Sequence, residues 1–124
     1  MYRYIITGGR NNTDYARIRA VLAGCVRAAV VCDTAAVFYV GDCKTGVDKI
    51  TRDFLQQHGC TYNVYAAAWN KYGRFAGPRR NKMMINAAVS NTNDTIICVA
   101  FAGGRGTASC IRYARDAGVR VLEY

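Results

Sequence analysis

A glycine-rich stretch in the last quarter of the sequence has the residue types of a phosphate-binding turn. It reads Gly103-Gly104-Arg105-Gly106-Thr107 and follows Thr95–Phe101, an apolar run typical of a strand buried on both faces. Glycines let a backbone approach a phosphate closely, and the free N–H groups that open a helix bind anions. Thr107 would cap that helix or donate to a phosphate oxygen. No Lys-Ser or Lys-Thr pair follows, so the stretch is not a P-loop, and a turn with only a packing role is the alternative.

Two other turns place arginines at the end of a predicted strand and at the start of a predicted helix. Gly8-Gly9-Arg10 ends the first predicted strand, and Arg79-Arg80-Asn81 opens a predicted helix behind Pro78. Cations at a helix N-terminus oppose the helix dipole, so helix stability does not explain Arg79 and Arg80. A bound anion would explain them, as would a solvated charge cluster. For Gly8–Arg10 the alternative is a simple tight turn.

Carboxylates and a tryptophan follow the second and third predicted strands. Gly41-Asp42 and Gly46-Val47-Asp48 come after the second, and both aspartates are candidates to accept hydrogen bonds from ribose hydroxyls. Thr45 to Asp48 also has the form of a capping box with Asp in place of Glu, which gives Asp48 a structural alternative. Trp69 is a candidate to stack on a base, with core packing as its alternative.

Strands and helices alternate along the whole chain, and most of the glycine-rich turns directly follow a strand. Hydrophobic spacing predicts helices over roughly 14–30, 46–58, 79–89 and 107–118, strands over 2–7, 36–40, 61–66, 95–101 and 119–122, and a long loop over 69–77. This alternation predicts an α/β fold: a Rossmann-like, doubly wound parallel five-stranded sheet of order 3-2-1-4-5 with helices on both faces. Residues 1–124 form one predicted domain.

The basic charge is concentrated in the strand-to-helix turns of this predicted sheet. The chain has 17 Lys and Arg against 8 Asp and Glu, a net charge of +9. Four turns of 35 residues in total hold 8 of the basic and 3 of the acidic residues. Because such turns meet at one sheet edge, their charge favours an anionic ligand there, most simply a phosphorylated nucleoside.

The six cysteines include no CxxC pair, and the sequence has a single histidine. We therefore expect reduced thiols, no metal site and a cytoplasmic location, with no cofactor assigned. The sequence has neither the charged-then-apolar layout of a signal peptide nor an apolar run of membrane-spanning length, so no membrane association is expected.

The same turns resemble those of the SLOG superfamily, which joins the LOG-type phosphoribohydrolases with the DprA/Smf proteins, and the small YspA-like branch matches best. The matching segments are Thr7-Gly8-Gly9-Arg10, Gly41-Asp42 with Gly46-Val47-Asp48, Ala68-Trp69, Ala76-Gly77-Pro78-Arg79-Arg80-Asn81 with Met84, and Phe101 to Thr107. The resemblance implies nucleotide or nucleotide-derivative binding on a Rossmann-like sheet. It also implies a homo-oligomer, a dimer or higher, and a link with nucleotide signals in antiviral defence or phage counter-defence.

Catalysis carries over from the resemblance only in part. Arg80 lies four residues before Met84, as the catalytic arginine of LOG enzymes does. Ala102 stands where those enzymes have Pro, and Cys110 stands where they have the catalytic Glu. A thiol does not replace a carboxylate that stabilises a sugar cation. Asp48 or Asp42 would have to supply it.

Three functions therefore stay open. The first is a nucleotide-derivative binder acting as sensor, sponge or processing protein. The second is an N-glycosidase acting on nucleoside monophosphates through Arg80 and Asp48. The third, less favoured, is single-stranded nucleic-acid binding with stacking on Tyr72 and Phe75. The binding residues expected for the first are Gly8, Gly9, Gly103, Gly104, Gly106 and Thr107 at phosphate, Arg10, Arg80 and Arg105 as cations, and Asp42 and Asp48 at ribose.

Overall fold

The computed structural model describes all residues, 1–124, and contains one five-stranded parallel sheet in the order β3-β2-β1-β4-β5. The strands are β1 (Tyr2–Thr7), β2 (Ala36–Gly41), β3 (Thr61–Tyr65), β4 (Thr95–Ala100) and β5 (Arg120–Glu123). The helices are α1 (Tyr15–Val31), α2 (Gly46–Gln57), α3 (Trp69–Tyr72), α4 (Ala76–Val89) and α5 (Arg105–Asp116), with a 3₁₀ turn at Gly73–Phe75. The predicted fold class and strand order are confirmed.

Two cores lie on opposite faces of the sheet because neighbouring strand residues point to opposite sides. On β1, Tyr4 and Ile6 face α1 and α2, and Ile5 faces α4 and α5. Side chains of α1 and α2, including Ile18 and Phe54, complete the first core. Met84 of α4 helps to complete the second. Helices therefore cover both faces, as predicted.

The predicted loop over residues 69–77 is wrong. Trp69–Tyr72 is a short helix and Gly73–Phe75 a 3₁₀ turn, and α4 begins at Ala76 rather than after Pro78. Gly73 has φ +54°, a conformation that favours glycine and separates the two short helices. Pro78 is tolerated as the third residue of α4 because N–H groups of a first turn have no intrahelical acceptor.

The predicted capping box at the start of α2 is also wrong. Thr45 precedes the helix, but its hydroxyl donates to the carbonyl of Arg10 over 2.7 Å. The carboxylate of Asp48 turns away and accepts from the N–H of Cys43 at 3.2 Å. Both side chains therefore form hydrogen bonds with groups outside α2 and do not cap the helix. In α1, by contrast, Asp14 caps the helix by accepting a hydrogen bond from the N–H of Arg17.

All six cysteines are free thiols, and Cys25, Cys98 and Cys110 are buried core residues. The helices are too short or too polar to cross a bilayer. No three His, Cys, Asp or Glu side chains are grouped so as to hold a metal ion.

Candidate functional site

The turn after β1 is held between the turns after β4 and β2. The N–H of Gly9 donates to the carbonyl of Ala102 at 3.1 Å, and the side-chain amide of Asn12 donates to the same oxygen. On the other side, the N–H of Val47 donates to the carbonyl of Gly9 at 3.2 Å. The predicted juxtaposition of the Gly8–Arg10 and Gly103–Thr107 turns at one sheet edge is confirmed.

Several of these glycines are required by the protein itself. A Cβ on Gly103 would stand 2.5 Å from the nitrogen of Gly9, and one on Gly8 would overlap Val47. Gly46 has φ +69°, and a Cβ there would lie 2.5 Å from the backbone of Arg10. By contrast, nothing lies within 4 Å of a Cβ built on Gly104 or Gly106. The Gly103–Thr107 turn therefore has a packed side, which faces the Gly8–Arg10 turn, and an open side, which faces solvent.

The open side presents the N-terminus of α5 without a cap. The first bond of the helix runs from the N–H of Ala108 to the carbonyl of Gly104, so the N–H groups of Arg105, Gly106 and Thr107 have no acceptor in the chain. The first turn contains no acidic residue. Thr107 is 7% exposed, and its hydroxyl lies against Gly103 on the packed side of the turn. The three backbone N–H groups form an uncompensated donor set, which suits an anion.

A cavity of about 750 Å³ opens beside this helix end. Two exposed arginines and the half-exposed ring of Tyr124, 44% exposed, contribute to its wall. The residues that line it are Gly9, Arg10, Asn11, Asn12, Asp14, Arg17, Ala102, Gly103, Gly104 and Tyr124. Sequence reasoning missed six of these lining residues: Asn11, Asn12, Asp14, Arg17, Ala102 and Tyr124. The two asparagines could have been predicted because they directly follow Arg10 in the sequence. Tyr124 could not, because only the pairing of β5 with β4 brings it to this site.

A second cavity of about 490 Å³ lies on the other side of Arg10. It shares Arg10 and Asn11 with the first cavity. Its remaining lining residues are Thr13, Tyr15, Lys44, Thr45, Gly46, Lys49, Ile50 and Asp53. Of the predicted binding residues, Gly46 belongs here rather than to the larger cavity.

Four other predicted site residues, Asp42, Asp48, Arg80 and Asn81, form a separate, mostly buried polar cluster. The guanidinium of Arg80 donates to Asp42 at 3.0 Å, to the carbonyl of Tyr65 at 3.3 Å and to Asn81 at 2.8 Å. Its side chain is only 12% exposed. The anion that the sequence required beside Arg80 is therefore Asp42, a residue of the protein. Asn81 also donates to the carbonyl of Gly106 at 3.4 Å, which ties this cluster to the first turn of α5.

Asp48 and Arg80 approach each other over Gly41. A Cβ on Gly41 would lie 2.5 Å from both the Asp48 carboxylate and the Arg80 guanidinium. Burial raises the pKa of the Asp48 carboxyl, and Arg80, the N–H of Cys43 and Arg52 oppose that rise. Asp48 is therefore a carboxyl that its surroundings shift towards the neutral form, the property of a general acid.

Replacement of Asp48 by Asn is expected to raise the melting temperature at neutral pH. A raised folded-state pKa means that the stability this group provides is complete below the unfolded value of 3.8 and is lost as pH rises through the folded value. Asn removes that loss and still accepts the Cys43 N–H. The gain should therefore shrink towards acid pH. Thermal unfolding of Asp48→Asn against the exposed control Asp116→Asn checks this, and a gain that does not depend on pH would contradict it.

Cys110, which the resemblance places where LOG enzymes have glutamate, lies in the core and not in either cavity. It packs with Cys98 between α5 and β4, and a thiol hydrogen bond to Cys110 together with burial raises the pKa of Cys98. A buried, fully enclosed thiol does not reach a sugar, so Cys110 has no place in bond cleavage here.

Trp69 and Arg79 lie away from both cavities. Trp69 is 56% exposed, so it is not a core residue, and its ring covers Gly77. Arg79 stacks over Tyr72, with 4.4 Å between the guanidinium carbon and the ring centre. Phe75 is 64% exposed beside Arg74. Tyr72 and Phe75, the two residues predicted to stack on nucleic acid, therefore each lie beside an arginine in one surface segment, 69–79.

No protein-family model matches the sequence. Over 74 residues the chain is 34% identical to the Gene 61 protein of Mycobacterium phage D29. The matched segment covers 56% of this chain and 54% of that protein, so the chain spans about half the length of the relative.

Proposed function

We propose that this chain binds a phosphorylated nucleoside or nucleotide-derived ligand at the carboxyl edge of its sheet, as a member of the SLOG superfamily. The observation that carries the proposal is the uncompensated N-terminus of α5. Three backbone N–H groups lack acceptors there, and the exposed Arg105 adds a cation to the same turn. A phosphate supplies the acceptors and the negative charge that this end lacks.

The larger cavity accommodates the rest of such a ligand. Its volume of about 750 Å³ is within the ~300–1,000 Å³ typical of small-molecule sites. Arg10 forms no ion pair and lies in its wall, so it is free to neutralise phosphate. The ring of Tyr124 takes the stacking role first assigned to Trp69, because it lies in the same cavity as Gly103 and Gly104.

Replacement of Arg105 by Ala is expected to weaken AMP binding about tenfold, since one charge-assisted hydrogen bond to phosphate contributes roughly 1.5 kcal/mol at an exposed site. The wild-type affinity should also fall as salt rises. Isothermal titration calorimetry measures both effects. Arg27→Ala, an exposed arginine of α1 outside both cavities, is the matched control and should bind as wild type does. The absence of heat for wild type with AMP, ADP-ribose and pApA, each at millimolar concentration, would reject the proposed function.

A second candidate is hydrolysis of the N-glycosidic bond. It is favoured by Asp48, a buried carboxyl with a raised pKa beside the guanidinium of Arg80. Asp48 would act as the acid and Arg80 as the residue that positions it. Chromatography of AMP incubated with the protein would reveal free adenine. Turnover that survives both Asp48→Asn and Arg80→Ala would reject these roles.

The wider role follows from the ligand. Without turnover, a small nucleotide binder acts as a sensor or as a sponge that sequesters a signal, and the similarity to a phage protein favours a sponge in counter-defence. Six free thiols accord with a reducing cytoplasm. The exposed Trp69, Phe75 and Met83 supply apolar area for a homo-oligomer.

A further inference from the structure

The geometry points to a ligand with two separated phosphate groups, one at the N-terminus of α5 beside the larger cavity and one in the smaller cavity, so that the bound molecule straddles Arg10. This inference rests on the proposed function and specifies its ligand class as dinucleotides rather than mononucleotides. It starts from the two cavities of about 750 and 490 Å³, which have only Arg10 and Asn11 in common. Each is of the size of a site for one nucleoside phosphate.

The smaller cavity has cations of its own. Lys44 lies in its wall, is exposed and forms no ion pair. Lys49 is bound to Asp53, with 2.7 Å between the ammonium and the carboxylate, so that pair is neutral overall. The positive charge left in this cavity is therefore that of Lys44 and the shared Arg10.

The wall between the cavities is held in place. The hydroxyl of Thr45 donates to the carbonyl of Arg10 at 2.7 Å, and the N–H of Val47 donates to the carbonyl of Gly9 at 3.2 Å. The backbone of Arg10 is thus tied to the start of α2, which leaves its exposed guanidinium beside both cavities. One cation between two cavities serves two phosphates of one molecule.

To reach both sites, the two phosphates of the ligand must be separated by more than a single bridging oxygen. In a pyrophosphate the phosphorus atoms share one oxygen, so both groups would occupy the same cavity. In a dinucleotide a nucleoside separates them. Linking two weakly bound halves converts the second contact into an intramolecular one, and the affinity rises accordingly.

Calorimetry with AMP, ADP-ribose and the linear dinucleotide pApA tests this inference. Wild type should bind pApA at least about tenfold more tightly than AMP, with one pApA per chain. Lys44→Ala should remove about tenfold of the pApA affinity and leave AMP and ADP-ribose within about twofold of wild type. Lys82→Ala, an exposed lysine outside both cavities, is the matched control and should change none of the three.

The failures of the two proposals differ. If AMP binds at Arg105 but pApA binds no more tightly, or if Lys44→Ala weakens AMP and pApA equally, the two-phosphate inference is wrong and the proposed function stands. If Lys44→Ala weakens ADP-ribose as much as pApA, the phosphates need not be separated and the inference is again wrong. If no nucleotide binds wild type, both proposals fail.

Discussion

Gly103→Ala is expected to lower the free energy of unfolding by about 3 kcal/mol, at the upper end of overpacking costs. The added methyl group would meet the Gly9 nitrogen at 2.5 Å and the Gly9 Cα at 2.8 Å. Both are backbone atoms, held by the bond from the Gly9 N–H to the carbonyl of Ala102. Relief therefore requires the turns after β1 and β4 to separate, and that opens the central strand pair at its carboxyl end.

Gly106→Ala is the matched control, because it makes the same change three residues further along. Its methyl group has nothing within 4 Å, and Ala has a higher helix propensity than Gly by up to about 1 kcal/mol. We expect a gain of about 0.5 kcal/mol for this variant. Urea titration of both variants measures the two effects. Similar losses for both would mean that the turns do not pack as described.

This contrast divides the glycine motif by function. The sequence alone assigned all three glycines to phosphate approach. In the structure Gly103 has its Cβ space filled by Gly9 and Thr107, whereas Gly104 and Gly106 leave theirs open. A glycine required by the fold and one required by a ligand look alike in a sequence, and only the position of the neighbouring turn separates them.

The fold was predictable because its signals are local. The apolar run of β4 and the helical spacing of Ile18, Leu22 and Cys25 each follow from residues close in sequence, and strand–helix alternation implies the parallel sheet. Capping at α2 was not predictable, because Thr45 and Asp48 take partners from the turns at Arg10 and Cys43.

The sequence predicted which turns form the candidate site, but not that Arg80 belongs to a buried cluster and Arg105 to the exposed site. Arg80 and Arg105 were both predicted at helix starts, and both looked like ligand cations, but Arg80 is the fifth residue of α4. Arg80 is buried against Asp42, 38 residues away, whereas Arg105 is exposed and unpaired. Pairings over that separation depend on how β2 and α4 are placed, which no local pattern encodes. Tyr124 enters the site for the same kind of reason, through the register of β5 on β4.

Arg80→Met is expected to lower the free energy of unfolding by about 2 kcal/mol at neutral pH. Breaking a buried ion pair costs roughly 3–5 kcal/mol and an exposed one less than about 1 kcal/mol, and the 36% exposure of the Asp42 side chain places this partly buried pair between the two. Met fills much of the volume, so the loss measures charge and hydrogen bonds rather than a cavity. Chemical denaturation at neutral and at acid pH measures the loss.

The pH dependence of the stability loss shows whether ionised Asp48 contributes to it. Arg80 opposes the rise in the pKa of Asp48, so its removal raises that pKa further. The penalty for an ionised, buried Asp48 is then present above the new folded value and disappears as pH falls through it. The deficit of Arg80→Met should therefore shrink in acid, and the double variant Arg80→Met with Asp48→Asn should recover part of it at neutral pH. A deficit that is independent of pH and unchanged in the double variant would place the whole role of Arg80 in its bonds to Asp42, Tyr65 and Asn81. In that case Arg80 acts by positioning α4 against β2.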